Sequence, residues 1–359
     1  MRLSLSILLV VLTAAPAGGT AERRLVAMGT SLDISVTAAS RREALDASEA
    51  AVREVARVEA LLSTWTTGGP LARLNAAPAG APVALPPELF GLLRRTFTWS
   101  GRTGGAFEPA VLPLVTAWGL RDGGRLPSEI ERTRALEATG HRRFRLDPGP
   151  SAVTKLHAAA GIDEGAWGKG YALDRAAEVL REQGVSSAEL NLGGQVFSLQ
   201  TQPGGGIRVG LADPRDRTRI VGYVRLGTGS LSTSGNSERA VTAGGRRIGH
   251  LLDPRTGAPS PDFGSVTVLA PSGLVADILS TALFLLGPDD GPRLSRRLRA
   301  EGVPHEVLYL VKRGSGLEAR ASAGFVPALE GLEVPPSSLP ETTPAGDAGG
   351  IPPEGDRTR

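Results

Sequence analysis

The chain has no cysteine, and in 359 residues it has only four histidines and two methionines. Without cysteine there are no disulfides, no thiol catalysis and no thiolate metal site. A bound metal must take oxygen or imidazole donors. With so few histidines, oxygen ligation is favoured, which points to Mg²⁺ or Ca²⁺ over Zn²⁺. Charge of one sign is also scarce: 40 Lys and Arg stand against 37 Asp and Glu, a formal +3. The basic residues lie among acids, as in Arg41-Arg42-Glu43, with no basic stripe interleaved with aromatics, so nucleic acid is not an expected partner. No period marks a repeat array.

The apolar run Leu3 to Leu12 is too short for a spanning helix. With Arg2 before it, and Ala15-Pro-Ala17 and Gly19-Thr-Ala21 after it as small-x-small sites, residues 1–21 read as a secretory signal; an uncleaved anchor is the alternative. No cysteine follows, so a lipoprotein anchor is excluded. The mature chain is expected to be soluble, exported (periplasmic or otherwise extracytoplasmic) and without a permanent membrane span. From residue 330 onward Pro, Gly, Ser, Thr and acids dominate, and 330–359 read as a disordered tail. Residues 22–329 are left as one domain.

Within that domain, Ser31 to Val36 alternates as a half-buried strand. Arg41 to Leu62 has helical apolar spacing, and Glu88 to Ser100 is a second helix. The Gly- and Pro-broken stretch from Thr66 to Pro87 reads as loop. Gly170 to Gln183 is a helix capped by Gly184. Ala188 to Leu192 and Val196 to Leu199 flank Gly193-Gly194, read as a strand interrupted by a bulge or a close backbone approach. Further strands fall at 207–211, 221–226, 265–270 and 305–311, and the last strong helix runs from Leu274 to Leu286. Separated strands and helices in this mixture predict an α+β fold with much antiparallel sheet.

Four constellations carry chemistry. In Asp163-Glu-Gly-Ala-Trp-Gly-Lys169-Gly170, a glycine-rich turn opens a helix, a place where backbone N–H groups and Lys169 can meet phosphate oxygens and a turn carbonyl such as that of Ala166 can face a metal. A strand-turn-helix junction with a solvated lysine would look the same. Asp277, Ser280 and Thr281 share one helix face, as ligands of a hard cation or as a cap with back-bonded hydroxyls. Ser232-Thr-Ser234-Gly235 precedes His250-Leu-Leu-Asp253-Pro-Arg-Thr-Gly257, where His250 can be a general base or a structural strand-end histidine. Met28, Trp65 and Ala106-Phe107-Glu108 are core residues unless a flat heterocycle needs stacking.

In this order, with Leu62-Ser-Thr-Trp65, Gly105-Ala-Phe-Glu-Pro109, Trp118-Gly119 and Asn191-Leu-Gly-Gly194 between them, the motifs resemble the FAD:protein FMN transferase (ApbE) family over residues 25–325. The resemblance implies a T-fold-related α+β architecture with a cleft for FAD between subregions. It implies Mg²⁺-dependent cleavage of FAD, transfer of FMN to a Thr or Ser hydroxyl of an exported redox protein, and release of AMP. It assigns flavin-nucleotide contacts to Met28, Trp65, Ala106, Phe107, Glu108, Asp163, Lys169 and Leu251, and the metal to Ala166, Asp277, Ser280 and Thr281. Lys169 would also neutralise charge on the diphosphate during transfer. His250 is the implied catalytic residue, and Asp253 is a second candidate for the base. Trp65 and Glu108 stand where the family usually has Tyr and Asp. Glu164 and Trp167 replace small or aliphatic residues, and a tryptophan there can narrow the cleft. Two other readings use the same residues: an FAD pyrophosphatase giving FMN and AMP, and a non-catalytic flavin-binding protein.

Overall fold

The computed structural model describes residues 18–202, 204–236 and 240–339. Most of the expected signal (1–17) and of the tail (340–359) lies outside the described residues. In chain order the elements are β1 (Gly19–Ala27), β2 (Thr30–Ala38), α1 (Arg41–Leu62), α2 (Pro70–Ala76), β3 (Pro82–Ala84), α3 (Pro87–Arg102), α4 (Leu112–Ala117), α5 (Glu129–Ala138), β4 (Phe144–Asp147), β5 (Ala152–Lys155), α6 (Gly168–Glu182), β6 (Ser187–Leu192) and β7 (Gln195–Gln200). They continue with β8 (Ile207–Ala212), β9 (Ile220–Leu226), β10 (Gly229–Gly235), β11 (Ala240–Ala243), β12 (Arg246–Gly249), β13 (Leu252–Asp253), β14 (Ala258–Pro259), β15 (Gly264–Ala270), α7 (Gly273–Ala300), β16 (Glu306–Arg313), β17 (Gly316–Ala321), β18 (Leu329–Glu330) and β19 (Ser337–Ser338).

Among the described residues one sheet has nine strands in the order β1-β2-β6-β7-β10-β15-β16-β17-β19, antiparallel except for the last pair. This is the α+β, largely antiparallel fold expected from the sequence. Period-two alternation divides the strand side chains between two cores. In β16, Val307, Tyr309 and Val311 face the core shared with α1, α6 and α7, while Leu308 and Leu310 join Val221 and Val224 of β9 on the opposite face. A third, smaller cluster, built on Leu114, Trp118, Ala135, Ile248 and Leu252, ties α4 and α5 to the β11–β12 hairpin.

Several boundaries differ from the expectations. Gly193 and Gly194 do not interrupt a strand: with φ of 59° and 90° they form the two-residue turn of the β6–β7 hairpin, whose twist suits such angles. The stretch 66–87 is not all loop. Pro70, at the first helical position, opens α2, which buries Leu71 and Leu74. The last helix continues to Ala300 past a break at Gly287, where φ is 76° and Pro288 restarts the turn. Gly19 to Ala21, assigned to the signal, pair with β2. The first residues of the expected disordered tail are also ordered: Glu330 pairs with β9, Ser337 and Ser338 with β17, and Leu339 is buried. Leu332 and Val334 supply the apolar contact that a wholly polar tail would lack.

Candidate functional site

The site is built where the first turns of α6 and α7 cross. A Cβ on Gly170 would lie 2.2 Å from the carbonyl oxygen of Gly273, and one on Gly273 would lie 2.5 Å from that of Gly170. Only glycine allows this backbone contact. Asp174, one turn along α6, caps α7: its carboxylate accepts from the Leu274 N–H at 3.0 Å, from the Gly273 N–H, and from the Ser272 hydroxyl at 2.6 Å. Burial raises the Asp174 pKa against these bonds. Asp277 in turn accepts from the Gly170 N–H at 3.0 Å through Oδ2, which leaves Oδ1 facing Lys169 Nζ at 3.7 Å. Asp277 is buried, and Lys169 is partly open to solvent. Two expected site residues about a hundred positions apart are thus a pair.

The turn before α6 is held from inside. Trp167 is fully buried, and its indole N–H donates to the Asp163 carbonyl at 2.8 Å. It belongs to the core and does not narrow the cleft. Asp163 Oδ1 accepts from the Gly165 N–H at 2.8 Å, closing the glycine turn on itself. Met28 lies beside this turn, with its terminal methyl 3.3 Å from where a Cβ on Gly168 would sit. Met28 and Gly29, with φ of 50° and 69°, make the two-residue β1–β2 turn, an uncommon conformation for a methionine.

Trp65 is 67% exposed and lies under the Arg121 guanidinium, 4.6 Å from the ring centre. Arg121 also pairs with Asp163 and donates to Thr64 Oγ1 at 2.7 Å. Glu164 accepts from that hydroxyl at 2.6 Å. Burial, reinforced by the neighbouring Asp163 charge, raises the Glu164 pKa. Sequence reasoning missed Arg121. Nothing local marks it, because its partners lie 57 and 42 residues away.

Other expected residues are placed differently. Ala106 and Phe107 are core residues. The buried Glu108 carboxylate is used by Ala110 N–H (3.0 Å), Ser100 Oγ (2.7 Å) and His141 Nδ1 (2.9 Å). Burial alone would raise its pKa, but these bonds outweigh burial and lower it. The side chains of this segment are therefore structural, and its backbone is tied to Thr103 by the Ala106 N–H (3.2 Å) and the Phe107 N–H (3.1 Å). Asp253 is clamped by Arg255, through Nε at 2.9 Å and Nη2 at 2.7 Å, so both of its carboxylate oxygens are engaged. His250 and Leu251 are both partly buried, between β12 and β13. Ser280 is fully buried and spends its hydroxyl on the Asp277 carbonyl and on Ser232 and Ser234, at 2.9–3.1 Å. Its bond to the Asp277 carbonyl steadies that turn. Thr281 is buried one turn beyond Asp277, and Ala166 is half-buried in the glycine turn. Among the described residues no three His, Asp or Glu converge as a metal cage. A separate cavity of about 550 Å³, bordered by Arg225, Thr228, Arg299 and His305, contains none of the expected site residues.

A lysine and a carboxylate meet at two crossing helix starts, and the turn before one of them is tied through Asp163 and Arg121 to an exposed indole, features that suit an anionic ligand with a flat ring. A sequence model of the ApbE family matches residues 28–303, and the chain belongs to that family. Curated relatives named FAD:protein FMN transferase include one from Rhodobacter capsulatus, 34% identical over 82% of this chain, and one from Treponema pallidum, 32% identical over 77%. The chain spans 56% of the length of the first and 79% of the second. The crystal structure of the ApbE protein from Thermotoga maritima superposes with a TM-score of 0.77 at 29% identity, covering 86% of this chain and 99% of that one.

Proposed function

We propose that the chain is a flavin transferase that moves FMN from FAD to a hydroxyl of an acceptor protein and releases AMP. The Lys169–Asp277 pair across the α6–α7 crossing carries this reading. A diphosphate resists nucleophiles because its oxygens are negative, and the charge that builds on the leaving phosphate needs a cation. Lys169 supplies one such charge. The acceptor oxygen bonds to the phosphorus of the FMN half, the bond from that phosphorus to the bridging oxygen breaks, and the electron pair leaves with AMP. The hydroxyl proton goes to a base. His250 takes that role, since Arg255 occupies Asp253.

Mg²⁺ fits the donor set if the substrate completes its shell. Asp277 Oδ1, the Thr281 hydroxyl and the Ala166 carbonyl are hard oxygens but too few for a protein-only cage, the mode typical of Mg²⁺ on a phosphate substrate. Bound there, the ion would neutralise phosphate charge. Asp277 is aimed by the Gly170 N–H, and Ser280 holds the Asp277 turn in place.

The signal-like residues 1–17 support an extracytoplasmic location, with an exported redox protein as acceptor. Cleavage after Ala17 would leave β1 whole, whereas cleavage after Ala21 would remove three of its residues. Among the described residues no helix is long and apolar enough to cross a membrane.

The test incubates the purified chain with FAD, Mg²⁺ and a candidate acceptor. The expected result is a flavin-fluorescent acceptor band, an added FMN mass on one Thr or Ser, and AMP in equal amount. AMP at the same rate without acceptor would make the protein a pyrophosphatase instead. Tight FAD binding with neither product would leave a flavin-binding protein.

A further inference from the structure

We propose that Arg121 is a positioning residue of this site: it locks Trp65 as a stacking face and balances the charge of Asp163 and Glu164. The inference rests on the reading of the site as an FAD site. A tight loop delivers the side chain. After α4, Gly119 turns at φ 60°, and its carbonyl accepts from Asp122 and Gly124 N–H at 2.9 and 2.8 Å. Trp118 anchors the loop through its indole N–H to the Gly257 carbonyl at 2.9 Å. Arg121 then reaches Thr64 twice, at the carbonyl (3.1 Å) and at the hydroxyl (2.7 Å), and pairs with Asp163. A planar fork can hold these partners while stacking on the Trp65 ring; a lysine ammonium cannot.

The consequences concern both shape and charge. Arg121 covers one face of an indole that remains 67% exposed, so the other face is presented at a fixed angle. The Trp65 backbone N–H donates to Ser63 Oγ at 3.3 Å, which holds the main chain but not the ring. Losing Arg121 frees the ring. It also leaves two adjacent carboxylates, Asp163 and Glu164, without the cation that lies against one and 3.9 Å from the other. An FAD diphosphate is anionic and would meet that uncompensated charge.

The experiment compares the full chain with Arg121→Ala, Arg121→Gln and Arg121→Lys. Of the four tryptophans, Trp99, Trp118 and Trp167 are at most 9% exposed, so acrylamide quenching reports Trp65. Without ligand, quenching should rise in the Ala variant. The FAD dissociation constant, read by tryptophan quenching, should rise about three- to thirtyfold, the range of a lost cation–π contact. The rate of AMP release at saturating FAD should change much less. Arg121→Lys keeps the cation but not the planar fork, so it should recover only part of the affinity and leave the Trp65 quenching raised. Arg121→Gln carries the comparison if the Ala variant does not fold. Unchanged quenching and unchanged FAD affinity in the variants would overturn the proposal. A parent chain that binds no FAD would overturn the functional reading itself, a result visible without any variant.

Discussion

Replacing Gly170 by alanine puts a methyl group where the α6–α7 crossing leaves no room. Its Cβ would lie 2.2 Å from the Gly273 carbonyl oxygen, 2.6 Å from the Gly273 carbonyl carbon and 2.8 Å from Asp277 Cβ. A carbon and a carbonyl oxygen rest at about 3.3–3.6 Å, so the helices must part by roughly 1 Å. Two of the three obstacles are backbone, which has no rotamer to change. Overpacking of this kind costs about 1–3 kcal/mol. The shift also stretches the Gly170 N–H bond to the Asp277 carboxylate, and a bond to a charged group contributes about 1.5–3 kcal/mol. A gain of up to about 1 kcal/mol for alanine over glycine in a helix offsets part of this. The expected net loss is therefore about 2–5 kcal/mol. The matched control is Gly91→Ala, in the interior of α3, where a new Cβ meets nothing within 4 Å. That change should stabilise by up to about 1 kcal/mol. Urea melts of both variants give the two signs directly, and AMP release should fall only in the Gly170 variant, because Asp277 is displaced from Lys169. A Gly170→Ala protein as stable and as active as the parent would refute the argument that this contact sets the site.

The remaining predictions concern the charges and the turn. Lys169→Ala should weaken FAD binding and slow AMP release, whereas Asp277→Asn should mainly abolish the response to added Mg²⁺; a Mg²⁺ titration of each variant separates them. Glu164 has a raised folded pKa, so its proton is held more tightly in the folded state, and stability is lost as pH rises from the ordinary carboxyl range through that raised value. Glu164→Gln, which can still accept from Thr64, should therefore raise the melting temperature at pH 8, with the advantage disappearing near pH 4. Trp167→Phe removes the indole bond to the Asp163 carbonyl and part of a fully buried ring. It should cost about 1–3 kcal/mol in denaturant melts and loosen the turn, seen as faster amide exchange at Gly165.

Much of the fold was legible because its signals are local. Apolar spacing placed α1 at its observed bounds, and the strand alternation from Ser31 to Val36 lies within β2. The helix α5 was legible too, in the Ser128-x-x-Glu131 capping box, but it was missed because that helix buries only Ala135 and Ala138 and has little apolar periodicity. The Gly193-Gly194 turn was misread because two glycines between apolar runs fit a bulge as well as a hairpin until strand pairing is known.

The site divides along the same line. The order of motifs in the sequence determined which family the chain belongs to, and a hundred residues of separation did not hide that Lys169 and Asp277 belong together. Residue type alone could not say which side chains were already spent. Glu108, Asp253 and Ser280 looked like ligands or bases, but each already has partners: folding brings His141 to Glu108 and the Ser232–Ser234 pair to Ser280, and the fork of nearby Arg255 closes on Asp253. Trp167 looked like a cleft residue and proved to be the internal support of the turn. Arg121 had no signal at all, because its partners Thr64, Trp65 and Asp163 lie on other segments of the chain. Local chemistry and periodicity are written in the sequence; hydrogen-bond saturation, burial and the sharing of one cation among distant acids are properties of the packed chain, and they were decided only there.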